Sequence, residues 1–272
     1  MAYTILASDL DGTLLQEDMS FSRENAEAIH ALAQKGVQFV PSSGRTLCEI
    51  PPEVIAHKDV RYVIYSNGAT IWDKHTNTHT YLCMSRALSN TVLEVLAAYD
   101  CHILIRHGGQ SYVDSRYADE KAFEHYQMCG PHRDVIEKYA VLQEDYLTFV
   151  KSLDNIECYA LFFSDDTQMA AAAAQLALVE GLSVVPSWPH SLELFSVKAG
   201  KGAALTVLAE LLGTTMEHTI AVGDSGNDKS MVVTAGLGLA TANACDLLKQ
   251  AADAVICANS GHIARYILET YI

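Results

Sequence analysis

The sequence has few basic residues and no long hydrophobic run. Lysine and arginine number 18 against 33 aspartates and glutamates, so the formal net charge is −15 at pH 7. Proteins that bind nucleic acid or anionic lipid need a basic surface, and we therefore expect neither partner. The most apolar helical stretch, residues 169–179, is too short to cross a bilayer and contains Gln175. We expect no membrane-spanning segment.

The cysteines and histidines also lack the spacing of disulfide or metal motifs. No Cys-x-x-Cys pair occurs, and the eleven histidines show no zinc-ligand spacing. Scattered thiols of this kind indicate reduced cysteines, as in cytoplasmic proteins. The opening apolar stretch has no basic start and is broken by Asp9 and Asp11, so we expect no secretory signal and a cytoplasmic location. The cysteines are Cys48, Cys83, Cys101, Cys129, Cys158, Cys245 and Cys257.

The sequence does contain ample material for a folded core. Half of its 272 residues are hydrophobic and 19% are charged, which is typical of globular proteins and argues against disorder. The length suits two domains, or one domain with a large insertion. There is no internal repeat and no low-complexity linker to divide the chain.

The first apolar segment ends in two closely spaced acids. Residues 3–8 are largely apolar, and they are followed by Asp9, Asp11 and then Gly12-Thr13. This pattern predicts a buried parallel strand that brings both carboxylates to one edge of a sheet, on the same side of the strand. Such close carboxylates repel each other unless one is protonated or a cation such as Mg²⁺ lies between them. The alternative is that the acids only end the strand and Gly12-Thr13 only form a turn.

Three further apolar segments end in small polar loops. We predict strands over 37–40, 62–65 and 219–222, with helices between them. Strands that alternate with helices form parallel sheets, and such sheets bind ligands at the carboxyl ends of their strands. The loops at these ends are Pro41-Ser42-Ser43-Gly44-Arg45, Ser66-Asn67-Gly68-Ala69 and Gly223-Asp224-Ser225-Gly226-Asn227-Asp228.

The middle of the chain follows a different pattern. A hairpin signal at 102–113, a strand over 157–163 and a helix over 167–179 predict an α+β insertion. Its polar residues Arg106, His107, Arg116 and His125 either face a site or lie on the surface, and we assign them no role.

The first pattern returns near residue 190. A short strand over 192–195 and a helix over 202–212 repeat the strand and helix alternation of the first residues. We therefore expect an α/β fold in which one parallel-sheet core is interrupted once. The expected domains are a core formed by residues 1–83 and 189–272 and an α+β cap formed by residues 84–188, with Ser187-Trp188-Pro189 at its exit.

The polar residues at the strand ends resemble the four motifs of the haloacid dehalogenase (HAD) superfamily of phosphatases. Their order and spacing carry the resemblance, from Asp9 and Asp11 through Ser43 and Lys201 to the loop Gly223–Asp228. Ser43 stands where the family most often has threonine, which keeps the hydroxyl.

The insertion makes the resemblance more specific. Asn67-Gly68-Ala69, the long insertion after residue 80 and the loop Gly223–Asp228 are similar to the Cof-type subfamily IIB, whose cap is of the C2 type. This implies a Rossmann-like parallel-sheet core interrupted by an α+β cap. The loop 195–200 is not the usual one before the motif lysine. We choose Lys201 over Lys198 because Lys201-Gly202-Ala203-Ala204-Leu205 has the family's sequence around it.

The resemblance implies a role for each motif residue. Asp9 would be the nucleophile that forms an aspartyl-phosphate, and Asp11 the general acid and base. Mg²⁺ would be held by the Asp9 carboxylate, the Asp11 main-chain carbonyl and Asp224. The residues expected to bind phosphate or substrate are Ser43, Gly44, Arg45, Asn67, Lys201 and Asn227, with Asp228 supporting the metal loop and the lysine.

Single residues have simpler interpretations when taken alone. Ser43 could be a turn residue, Lys201 a surface lysine at a helix start, and Asp228 a helix cap. The motifs together favour the functional interpretation, because several of them occur in the family's order.

We therefore expect a Mg²⁺-dependent phosphatase that acts on small phosphorylated metabolites, with sugar phosphates expected from the resemblance. Two alternatives stay open. A phosphomutase of the same superfamily would need a cap that holds its substrate in two orientations. A non-catalytic phosphosugar sensor would be favoured by loss of Asp9 or Asp11, and both are present. We expect a monomer or a small homo-oligomer.

Overall fold

The computed structural model describes residues 2–128, 130–187 and 189–272. Contacts within the chain divide it into two units, which we call the core unit and the cap unit. The core unit comprises the residues up to Arg45, Ile50–Thr80 and Gly200–Ile272, and the cap unit comprises Thr46–Glu49 and Tyr81–Ala199.

The helices and strands are numbered here in chain order. The helices are α1 (Arg23–Gln34), α2 (Pro52–Ala56), α3 (Arg86–Leu96), α4 (Glu120–His125), α5 (Gly130–Lys138), α6 (Tyr146–Ser152), α7 (Asp166–Leu176), α8 (Lys201–Leu211), α9 (Lys229–Thr234), α10 (Asp246–Ala251) and α11 (Ile263–Tyr271). The strands are β1 (Ile5–Ser8), β2 (Gln38–Pro41), β3 (Tyr62–Tyr65), β4 (Thr70–Asp73), β5 (Thr78–Tyr81), β6 (Cys101–His107), β7 (Gln110–Asp114), β8 (Val141–Gln143), β9 (Ile156–Phe163), β10 (Leu182–Pro186), β11 (Ser191–Ser196), β12 (Thr219–Gly223), β13 (Leu237–Ala240) and β14 (Ala254–Val255).

The core unit is built on a parallel sheet with strand order β14-β13-β12-β1-β2. The central strand β1 is buried along its whole length, which explains its nearly continuous apolar sequence. Ser8 at its carboxyl end lies opposite Val222 of β12 and Pro41 of β2. The loops that follow these three strands therefore meet at one edge of the sheet.

Local sequence signals define the first helix well. Ser22 caps α1 by accepting a hydrogen bond from the amide of Asn25, and Gly36 follows the helix with a φ of 84°. The helix ends at Gln34, and Lys35 is its C-cap. A separate sheet, in the order β3-β4-β5, follows α2.

The cap unit contains a six-stranded sheet with the order β10-β11-β9-β6-β7-β8. Neighbouring strands of this sheet pair antiparallel except for β7 with β8. Both faces of β9 are buried: Leu161 belongs to a cluster with residues of α3, α6 and α7, whereas Phe162 belongs to a cluster with residues of α4 and α5. The cap sheet is thus covered by helices on both sides.

The strand over 191–196 corrects one sequence prediction. The sequence placed a strand at 192–195 in the core, but β11 pairs antiparallel with β9 and β10 of the cap sheet. A short apolar strand carries no signal for the sheet it joins, because pairing depends on partners far along the chain. The chain enters the core unit again at Gly200.

Two predictions fall partly outside the described residues. Trp188 of the expected cap exit and Cys129 lie there, while the other six cysteines are free thiols. In the part of the chain that the structure describes, no helix is both long enough and apolar enough to cross a bilayer.

Candidate active site

The centre of the site is a buried lysine between two aspartates. Lys201, the first residue of α8, places its Nζ 2.7 Å from Asp9 Oδ1 and 2.6 Å from Asp228 Oδ1. The Lys201 and Asp228 side chains are fully buried, and that of Asp9 is 7% exposed. Burial acts to lower the pKa of Lys201, but the two carboxylates outweigh it and raise that pKa above its ordinary value. Lys201 is therefore a permanent cation in contact with Asp9.

Asp228 is held on both of its oxygens. Its Oδ1 accepts the hydrogen bond from Lys201, and its Oδ2 accepts from the backbone amides of Asp224 and Ser225, each at 3.0 Å. It therefore shapes the loop after β12 and orients the lysine at the same time. The sequence predicts a supporting role for Asp228 toward this loop and the lysine, and that role stays a prediction.

Asp9 and Asp224 form the acidic side of the site. Oxygens of Asp9, Asp224 and Asp228 lie within 4.8 Å of one another, a separation that one metal ion could bridge. Gly12 makes this approach possible, because it has a φ of 71° and a Cβ there would lie 2.5 Å from Asp224 Oδ2. Since both oxygens of Asp228 are already engaged, Asp9 and Asp224 are the better placed ligands.

The charges of the site fit a divalent cation. Burial raises the pKa of Asp9 from 3.8 to about 8, and burial likewise raises that of Asp224. When all four aspartates of the site are ionised, they exceed Lys201 and Arg45 by two negative charges. Oxygen ligands with this excess charge suit a hard cation such as Mg²⁺, and with it bound both carboxylates would be ionised.

Asp11 has a different environment from Asp9. Its side chain is 44% exposed and forms a two-pronged ion pair with Arg45, with Nε to Oδ2 at 2.8 Å and Nη2 to Oδ1 at 2.6 Å. Two carboxylates only two residues apart thus have separate partners, one a buried lysine and the other an accessible arginine. The sequence predicted Arg45 for phosphate or substrate, and the structure places it on Asp11.

The remaining predicted residues lie in neighbouring loops of the core unit. Ser43 is buried, and its Oγ accepts a hydrogen bond from the amide of Arg45 at 3.1 Å. Asn227 Nδ2 donates to Asn67 Oδ1 at 2.9 Å, and a Cβ on Gly44 would lie 3.0 Å from that same oxygen. The loops after β2, β3 and β12 are therefore in direct contact.

Three asparagines that the sequence did not single out fix the turn after Asp11. Asn243 donates to the carbonyl oxygen of Gly12 at 2.7 Å. Asn25 donates to that of Leu14 at 2.9 Å, and Asn259 to that of Leu15 at 3.0 Å. No motif marks these residues, because each acts on a backbone carbonyl reached only through the fold.

The polar cap residues considered from the sequence have partners inside the cap unit. Arg116 pairs with Asp114, and His125 Nε2 lies 2.8 Å from Asp100. Arg106 is largely buried, and its guanidinium lies 3.8 Å from the carboxylate of Glu193. These contacts add no reacting group to those described above.

Comparison with known proteins gives a consistent result. A family model of haloacid dehalogenase-like hydrolases matches residues 6–267. Phosphatase YwpJ of Bacillus subtilis strain 168 is 29% identical, over 97% of this chain and 98% of that protein. The 5-amino-6-(5-phospho-D-ribitylamino)uracil phosphatase YcsE of the same strain is also 29% identical, over 94% of this chain and 90% of that protein.

Solved structures support the fold. A haloacid dehalogenase-like hydrolase from Bacteroides thetaiotaomicron matches with a TM-score of 0.81 and 24% identity, over 99% of this chain and 100% of that one. The predicted α/β class, a parallel-sheet core interrupted by an α+β cap, is confirmed.

Proposed function

The chain belongs to the haloacid dehalogenase-like hydrolases and is a phosphatase of that family, and we propose that it requires Mg²⁺ and hydrolyses small phosphorylated metabolites, sugar phosphates in particular. The observation that carries this proposal is the contact of Asp9 with the buried ammonium of Lys201, beside the carboxylate of Asp224. A phosphate monoester repels nucleophiles because its oxygens are charged, so a nucleophile needs cations beside it.

Asp9 is the proposed nucleophile. Its carboxylate oxygen attacks phosphorus, the bond from phosphorus to the leaving oxygen breaks, and an aspartyl-phosphate forms on Asp9. Lys201 holds Asp9 in place and offers its charge to a phosphoryl oxygen. A Mg²⁺ ion held by Asp9, the Asp11 carbonyl and Asp224 would supply further positive charge to the phosphoryl oxygens.

Asp11 is the proposed general acid and base. It gives a proton to the leaving oxygen in the first step and takes one from the attacking water in the second, which releases inorganic phosphate and restores Asp9. Its accessible position, in contrast to that of Asp9, supports this assignment. Ser43, Gly44, Arg45, Asn67 and Asn227 are proposed to bind or orient the phosphoryl group or the substrate.

The substrate class rests on charge and on the relatives. YcsE is named for a phosphorylated ribitylamino compound, which is a small molecule with a sugar-derived chain. The net charge of −15 would repel large polyanions beyond the site itself. We also propose that the enzyme acts in the cytoplasm as a monomer or small homo-oligomer, and its free thiols support a reducing compartment.

The test is release of inorganic phosphate from a panel of sugar phosphates, nucleotides and cofactor phosphates, with Mg²⁺ and with a chelator. We expect release that requires Mg²⁺ and falls at least about 10⁴-fold in Asp9→Asn. The matched control is Asp18→Asn, since Asp18 is an exposed aspartate of the core unit and should be dispensable.

Two other outcomes would overturn the phosphatase proposal. Movement of the phosphoryl group within a sugar phosphate, followed by ³¹P NMR and without net phosphate release, would indicate a phosphomutase. Binding of a phosphosugar with neither release nor transfer would indicate a sensor.

A further inference from the structure

The turn after β3 has an unusual backbone. Ser66, Asn67 and Gly68 all lie in the left-handed region, with φ values of 49°, 54° and 85°. Most residues other than glycine and asparagine avoid this region because their Cβ crowds the following carbonyl oxygen, so the strain falls on Ser66. Such strain persists only where the surroundings hold it, and it is concentrated at functional sites.

This turn is bound on one side to the loop after β2. The amide of Ser66 donates to the carbonyl oxygen of Arg45 at 2.8 Å, and the amide of Asn67 donates to that of Ser43 at 3.0 Å. Two successive amides of the turn thus donate to the same loop. The backbone on both sides of Gly44 is thereby tied to the turn.

On its other sides the turn meets Lys201 and Asn227. A Cβ on Gly68 would collide with the carbonyl of Gly200 and would lie 2.8 Å from the amide nitrogen of Lys201. The Asn67 side chain accepts the hydrogen bond from Asn227, whose own Oδ1 accepts from Ser225 at 2.6 Å. One three-residue turn therefore touches each loop to which we assign phosphate binding.

We propose that Asn67 is a positioning residue, which sets the loop Ser43–Arg45, the start of α8 and the side chain of Asn227 at the spacing that one phosphoryl group requires. The proposal rests on the proposed function for the identity of the phosphate-binding groups. Asn67 acts through two contacts, its amide to Ser43 and its Oδ1 to Asn227. Hydrogen-bond donors that already stand in place need no rearrangement when charge develops on the phosphoryl group. A small misplacement of such donors lowers the reaction rate strongly.

Substitutions at residue 67 separate the two contacts. Asn67→Gly keeps the left-handed backbone and removes the side-chain contact, whereas Asn67→Ala also strains the turn. We expect kcat/KM to fall about 10-fold in Asn67→Gly and about 100-fold in Asn67→Ala. We expect the affinity for inorganic phosphate, measured directly by calorimetry in the presence of Mg²⁺, to fall in the same order.

The matched control is Asn77, an exposed asparagine in the turn between β4 and β5. It has nearly the same left-handed φ, 52°, and its Oδ1 also accepts a side-chain hydrogen bond, from Trp72 Nε1. Asn77→Gly should leave kcat/KM and phosphate affinity within about twofold of the wild type. Equal losses in Asn67→Gly and Asn77→Gly would overturn the positioning role and indicate general destabilisation.

A double variant tests whether Asn67 acts through Asn227. If it does, adding Asn67→Gly to Asn227→Ala should cost less than about twofold, because the contact is already lost. Fully additive losses, or unchanged phosphate affinity in Asn67→Gly, would contradict the proposal. Failure of the wild type to hydrolyse any phosphate ester would instead refute the proposed function, while calorimetry with phosphate would still test Asn67.

Discussion

The core unit and the cap unit both bury charged side chains, but these charges have different partners. In the core, Lys201 and Asp228 are fully buried beside Asp9, and the three residues come from segments up to 219 residues apart. In the cap, the buried Glu157 accepts a hydrogen bond from the amide of Gly109 at 2.8 Å. The core carboxylates lie against one another around a single lysine, whereas the buried cap carboxylates also accept hydrogen bonds from backbone amides.

The segment Thr46–Glu49 illustrates the cap arrangement. Glu49 is buried and accepts hydrogen bonds from the amide of Thr46 at 3.1 Å and from the hydroxyl of Ser111 at 3.3 Å. Cys48 also donates its amide to the carbonyl oxygen of Gly109. Glu49 therefore has backbone and hydroxyl donors as well as the charge of the largely buried Arg106, and these satisfy its carboxylate. The core carboxylates lie against each other, and that is the arrangement expected where a cation and a phosphate bind.

This difference distinguishes buried groups that matter for catalysis from buried groups that matter mainly for folding. A buried charge in the core should matter for catalysis beyond its effect on folding. A buried group in the cap should affect the stability of the cap before it affects the chemistry. Substitutions in each unit test this distinction.

Among the substitutions that compare the two units, the largest effect is expected for Lys201→Met. It leaves Asp9 and Asp228 as neighbouring carboxylates without their cation, so we expect phosphate release to fall about 10²–10³-fold and stability to fall by about 3–5 kcal/mol. The measurements are phosphate release and urea unfolding. The matched control is Lys198→Met, because Lys198 is exposed and should change stability by less than about 0.5 kcal/mol. A larger loss of activity in Lys198→Met would show that the motif lysine was wrongly chosen.

A large effect on stability alone is expected for Leu161→Ala. Leu161 is fully buried in β9, in the centre of the cap sheet, so the cavity should cost about 2–5 kcal/mol. Since each unit has its own sheet and buried core, we expect faster amide hydrogen exchange in residues 81–199 and unchanged exchange in β1 and β12. The control is Leu178→Ala, since Leu178 is 86% exposed. Equal acceleration in both units would mean that they unfold as one.

The smallest effect is an acid-induced weakening of the cap. Burial lowers the pKa of His102 from 6.5 to about 4, so the folded protein binds this proton less readily than the unfolded chain does. The contribution of neutral His102 to the free energy of unfolding is therefore fully present above pH 6.5. It decreases as the pH drops, by about 3 kcal/mol at pH 4. Lys201 of the core does not share this dependence, because it stays protonated throughout the range.

The variant His102→Gln tests the assignment. A glutamine amide can still donate to the Tyr117 carbonyl oxygen, which His102 Nε2 contacts at 3.0 Å, but it does not titrate. Hydrogen exchange of the cap between pH 4 and 7, corrected for intrinsic rates, should then depend less on pH than in the wild type. Some pH dependence should remain in the variant, because His132 is partly buried and burial lowers its pKa as well. An unchanged pH dependence would exclude His102 as the cause.

Much of the fold was predictable because its signals are local. The apolar run of β1, the Ser22 cap and Gly36 stop of α1, and the small polar loops after the strands all lie within a few residues of the elements they define. The strand β11 was assigned to the wrong sheet for the opposite reason. Its apolar residues suit either sheet, and only its pairing with β9 and β10 decides between them.

The sequence predicts which groups the site contains, because these residues stand in motifs of short range: the acids Asp9, Asp11 and Asp224, the lysine and the loops that carry them. The contacts that these groups make follow only from the folded structure. It placed Arg45 on Asp11, Asn67 on Asn227 and Asn243 on the turn after Asp11. A hydrogen bond between groups more than 30 residues apart produces no periodic pattern in the sequence, because it depends on where the strands of the sheet end.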